Sequence, residues 1–170
     1  RLVWQTLLDS DNDAALIVED DVDIDDTTFK PAYALACEHL ADGYVRFPKV
    51  LNELPLKIIA SAEKTTLFHP AALALGMQLQ LVSRAAAVLL LKATECFDRP
   101  VDTSLQMRWL TGVSATVVSP SGVHEIDAQL GGTTIGQKKS RWEVLHREVM
   151  RPAYRCKIYL LSKFYRSRVN

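Results

Sequence analysis

The run Ala14-Ala15-Leu16-Ile17-Val18 passes without a break into Glu19-Asp20-Asp21-Val22-Asp23, and this junction constrains the fold more than any other stretch. Five consecutive apolar residues with β-branched members predict a strand, and one apolar at every position is expected inside an α/β sheet, covered on both faces. Carboxylates then begin where the core ends. Crowding them against apolar neighbours is unfavourable unless a cation sits among them. Open α/β sheets bind ligands beyond the carboxyl ends of their strands, so Glu19, Asp20 and Asp21 are candidate binding residues. Hard oxygen donors suit Mg²⁺, Mn²⁺ or Ca²⁺, and such an ion bridges readily to a diphosphate. The competing reading of Asp20 to Asp26 is a solvated acidic loop that binds nothing.

The formal charge is zero but unevenly spread. Residues 1–30 carry nine carboxylates against Arg1 and Lys30, whereas residues 138–170 carry ten Lys and Arg against Glu143 and Glu148. With 170 residues and an apolar content of 48%, the chain is long enough for one real core and too hydrophobic to be disordered. Cys37, Cys96 and Cys156 are odd in number and widely spaced, which fits neither a disulfide framework nor a zinc knuckle and points to a reducing cytoplasm. The longest apolar block, Ala85 to Leu91, is too short to span a bilayer, so any membrane contact is expected to be peripheral. The chain opens at Arg1 inside a helical pattern, and we expect an N-terminal portion of the natural protein to be missing.

Further along, Asp26-Thr27-Thr28 supplies N-cap candidates for a helix from Phe29 to Ala41, with Pro31 in its first turn. Residues 57–61, 65–68 and 76–82 read as strands, 85–94 as a helix, 104–110 as a shorter helix, and 115–118 as a strand. His69-Pro70 reads as a break, and Gly131 to Thr134 as a loop able to move. From Trp142 onward, apolar residues recur every three or four positions among Arg and Lys, and Pro152 should split this region before a helix over 153–165. Such a basic amphipathic helix either lies on an anionic membrane or packs on the domain. No recognised motif accompanies its charges, so nucleic acid is not an expected partner.

Four stretches, in order, resemble the glycosyltransferase family 25 pattern: Ala15 to Val22, Gly76 to Leu90, Arg99-Pro100-Val101-Asp102 with Trp109 following, and Val118 to Val123. The family includes lipopolysaccharide and lipooligosaccharide galactosyltransferases of bacteria and the collagen galactosyltransferases. The resemblance runs over residues 2–139. It implies an α/β fold of GT-A (Rossmann-like) type, a mixed sheet with flanking helices, followed by a basic helical tail over 140–170. It further implies a metal-dependent inverting transferase that moves a sugar, galactose by preference, from a UDP-sugar to a glycolipid or saccharide acceptor at the inner face of a bacterial membrane. Under that resemblance Asp21 is the metal ligand, with Mn²⁺ or Mg²⁺ as the ion. Asp20 and Glu19 face the ribose or the metal shell, His124 completes that shell, and Asp102 is the base or an acceptor-binding group. Two positions depart from the family: Gln80 stands where Tyr is frequent, and Thr103 where a second Asp often follows.

Two other classes stay open beside this. A catalytically inactive, glycosyltransferase-like binding or scaffold subunit would keep the fold and lose transfer. A phosphoacceptor receiver domain would share the Leu-Ile-Val-Glu-Asp-Asp opening, but it needs an Asp ending a later strand, and residues 58–67 contain Glu63 and no Asp.

Overall fold

A computed structural model describes residues 1–96, 99–126, 152 and 154–165. The chain is a mixed α/β structure. In order it forms α1 (Leu2–Asp9), β1 (Ala14–Val18), β2 (Val22–Ile24), α2 (Asp26–Glu38), β3 (Tyr44–Arg46), β4 (Pro55–Ala62) and β5 (Thr65–Pro70). Next come β6 (Leu79–Ser83), α3 (Arg84–Ala93), α4 (Val101–Gln106), α5 (Arg108–Thr111), β7 (Ala115–Ser119) and β8 (Val123–Glu125). A last helix, α6, covers residues 154–165.

Six strands form one sheet in the order β1-β6-β3-β7-β5-β4, and β2 pairs with β8 in a separate ribbon. β3 and β7 are parallel, and β1 and β3 each pair antiparallel with β6 between them, so β1, β3 and β7 point the same way. Their carboxyl ends, at Val18, Arg46 and Ser119, therefore open on one edge.

Strand alternation divides the core into two layers. Tyr44, Phe68, Val82 and Val117 face α1, α3 and α4, where Trp4, Leu7, Ala86, Leu90 and Leu105 meet them. Val45, Leu67, Leu81 and Val118 face α2, which contributes Ala32, Leu35 and Ala36. Each fully buried Val, Leu or Phe contributes about 1.5–3 kcal/mol, so the two layers together hold the sheet.

Several expectations change. β1 has the predicted limits, but it is the edge strand of its sheet, with Leu16 37% and Val18 43% exposed, and is not covered on both faces. The continuous apolar run misled because Leu16 and Val18 lie at the edge of the sheet, where among the described residues they stay exposed. Asp25, not Asp26 to Thr28, caps α2, accepting from Thr27 N and from Thr28 Oγ1 at 2.5 Å. His69 lies within β5, its Nδ1 3.3 Å from the carbonyl of Ala115, instead of in a turn. The single helix expected over 104–110 is two, broken at Met107. No helix among the described residues is long and apolar enough to cross a membrane. The predicted mobile loop at 131–134, the apolar repeat over 142–149 and most of the basic tail lie outside the described residues.

Candidate functional site at the acidic edge of the sheet

β1 delivers Glu19 to the carboxyl edge, and backbone hydrogen bonds fix the acidic turn beyond it. Glu19 N donates to Gln78 O at 2.9 Å, and Ile126 N donates to Asp21 O at 2.9 Å, so this turn is tied to β6 on one side and to the end of β8 on the other. Burial pushes the Glu19 carboxyl up, and the negative charges of Asp21, Asp102 and Asp20 push it further, while Lys49 pulls it back. Four carboxylates from two distant stretches of chain thus share one electrostatic neighbourhood. Lys49 is itself ion-paired to Glu125 of β8, so its charge is shared with that carboxylate.

Asp102 occupies the first turn of α4, which begins after Pro100 without a side-chain cap. Its Oδ1 accepts from Thr103 N at 2.7 Å, so the side chain folds back on its own turn and does not cap the helix. Arg46, at the end of β3, lies within the field of Asp102 and is ion-paired to the buried Glu53. Tyr154, opening α6, donates to Gln106 Oε1 at 3.0 Å, and burial together with Asp102 raises its phenol while Arg99 lowers it. The start of the C-terminal helix therefore borders the acidic edge.

Polar atoms there are left open. Asp21 Oδ1, Gln78 Oε1 and both amide atoms of Gln80 are buried and have no hydrogen-bond partner among the described residues. Unpaired buried groups of this kind cost about 1–3 kcal/mol each and call for a ligand or an ordered water.

Not every predicted residue joins the cluster. His124 is exposed on β8, opposite Asp23 in the two-stranded ribbon. Among the described residues no three His, Cys, Asp or Glu side chains are arranged to hold a metal ion by themselves. The open Asp21 Oδ1 does fit a cation that takes most of its ligands from a diphosphate and water, the usual habit of Mg²⁺. A cleft of about 490 Å³ lies at the opposite end of the sheet, bounded by His39, Asp42, Lys57, His69, Ser114 and Thr116. Among the described residues Asp42 is the one acid lining it, and none of the unpaired buried atoms lines it.

Arg46, Lys49 and Gln78 were not singled out from sequence, and Tyr154 was read only as an aromatic residue of the basic amphipathic helix. A charge between Val45 and Phe47, and amides alternating with Leu79 and Leu81, were the signals that marked the first and third of these positions. No protein-family model matches the chain, and no curated protein matches it.

Proposed function

We propose that the chain is the catalytic part of a GT-A-type, metal-dependent inverting glycosyltransferase. It moves a sugar, galactose by preference, from UDP to a lipopolysaccharide-type acceptor at the cytoplasmic face of a membrane. The observation that carries this reading is that Asp21, Asp102 and Asp20 all bear electrostatically on Glu19, beside a buried Asp21 Oδ1 with no partner among the described residues. The order of four short motifs that resemble glycosyltransferase family 25 supports it from the sequence side.

An inverting transfer is a single displacement. The acceptor hydroxyl oxygen attacks the anomeric carbon, the bond from that carbon to the diphosphate breaks, and the hydroxyl proton passes to a carboxylate. Asp102 is the group assigned to take that proton. Its Oδ1 is oriented by Thr103 N, and its charge sits beside Arg46. Asp21 would hold the divalent ion with Asp20 beside it, and that ion supplies neutralisation of the departing diphosphate. Glu19, partly desolvated, faces the same space.

In the full-length protein, Asp21→Ala is expected to lower Mn²⁺-dependent release of UDP from UDP-galactose by ~10²-fold or more while leaving the circular dichroism spectrum unchanged. An unchanged rate removes the assignment. The second reading is a binding subunit without transfer. Metal-dependent UDP affinity with no turnover on any acceptor would select it.

A further inference from the structure

The unpaired atoms at the acidic edge have a definite chemistry. Beside Asp21 Oδ1, assigned above to the divalent ion, two of them accept hydrogen bonds (Gln78 Oε1 and Gln80 Oε1) and one donates (Gln80 Nε2). A phosphodiester, which only accepts, satisfies neither acceptor. An ammonium, which only donates, leaves Gln80 Nε2 open. A hydroxyl does both, and several hydroxyls held on one ring satisfy a mixed set of this kind.

Placement supports a shared task. Gln80 is 2% exposed and is the cross-strand partner of Arg46, so the two side chains leave the same face of the sheet. Arg46 is the residue that feels Asp102. Gln78 lies two residues earlier, and its carbonyl receives the Glu19 amide. Its side chain lies over Gly76, where an added Cβ would fall 2.7 Å from Gln78 Nε2. Gly76 has φ +101° and its carbonyl accepts from Arg46 Nε at 3.3 Å, so glycine at this position leaves room for the amide. An amide buried without a partner among the described residues, one position into β6, weakens the fold, and an apolar residue would serve the sheet better.

We propose that Gln80, together with Gln78, reads the hydroxyl groups of a saccharide, so that these residues set which sugar the site accepts. This deepens the glycosyltransferase reading and rests on it for the identity of the donor.

The test compares the wild-type chain with Gln80→Leu, which removes both amide atoms at similar volume, using UDP and UDP-galactose with Mn²⁺ in titration calorimetry. Saturation-transfer NMR with methyl β-galactoside, without nucleotide or metal, runs alongside. Gln80→Leu is expected to weaken UDP-galactose by ~10-fold or more, to change UDP by less than about twofold, and to abolish the galactoside signal. Its melting temperature should rise, because the unpaired amide is gone.

If UDP and UDP-galactose bind equally well to both proteins, this inference fails and the glycosyltransferase reading stands. If neither nucleotide binds but the galactoside signal is present and lost on substitution, the transferase reading fails and this inference stands. Binding of methylammonium but of no hexoside overturns the inference. Should Gln80→Leu not fold, Gln80→Met replaces it. If neither variant folds, the wild-type galactoside signal decides.

Discussion

Glu19 is where the cost of assembling the acidic edge is concentrated. Burial, followed by the charges of Asp21, Asp102 and Asp20, holds its carboxyl above the ordinary range, with Lys49 offsetting only part. The folded protein therefore binds the Glu19 proton more tightly than the unfolded chain does. Its contribution to stability is fully present at low pH and declines as pH climbs from the ordinary carboxyl value to the raised one. Glu19→Gln should accordingly melt at a higher temperature than wild type at pH 7, with the gap closing toward about pH 4. Differential scanning calorimetry across that range checks it. A wild type that is the more stable protein at pH 7 would mean that Glu19 gains more from Lys49 than it loses to the acids. Asp25 behaves oppositely, its carboxyl lowered by the Thr28 hydroxyl and Thr27 amide that it caps. The contrast separates a carboxylate placed for local structure from one held in place against its own electrostatics.

At the level of elements, the seat of α2 decides where the acidic turn goes. Asp25 N donates to Gly122 O at 2.8 Å, and Gly122 has φ +72°, with an added Cβ falling 2.6 Å from Phe29 N and 2.9 Å from Asp25 O. Gly112 also has a positive φ, +68°, but nothing lies within 4 Å of its missing Cβ. Gly112→Ala should then cost only backbone strain, about 1 kcal/mol, whereas Gly122→Ala should cost clearly more, about 2–3 kcal/mol, because the first turn of α2 must shift. Urea unfolding of the two variants tests the ranking. Elements such as α2 and α3 were legible because helical periodicity is local, although α2 begins and ends three residues before the expected Phe29 to Ala41 because Asp25 caps it; β1 was legible in its limits and wrong in its setting, since neighbours across a sheet are not written in a strand's own residues. The three-residue strands β2, β3 and β8 carry too little pattern to read. The acids Glu19 to Asp21 could be singled out from their place after an apolar run, whereas Arg46 and Gln80 come to the same edge only because β3 and β6 pair in the fold.

Across the whole molecule, the acidic edge depends on a polar interaction set into an apolar layer. Arg46 shares its face with Tyr44, Val82 and Val117, and its side chain is 6% exposed. Its partner Glu53 is 0% exposed. Around the pair, Arg46 Nη2 donates to Leu75 O at 2.7 Å, while Glu53 carboxylate oxygens accept from Ala74 N at 3.3 Å and Asn52 N at 3.1 Å. The pair therefore fastens the connection between β5 and β6, which carries Gly76 and Gln78, to the end of β3. Burying two charges is costly, and their attraction returns the loss only while both remain. Glu53→Ala leaves the guanidinium uncompensated and should cost about 3–5 kcal/mol, a large share of the roughly 5–15 kcal/mol expected for a domain of this size. Replacing both residues with apolar ones, Arg46→Met with Glu53→Leu, should cost less than Glu53→Ala alone, because no unpaired charge remains. Urea unfolding of the three proteins measures the coupling. If Glu53→Ala costs under about 1 kcal/mol, the guanidinium has found water or another acceptor, and the β5–β6 connection does not depend on this ion pair for its position.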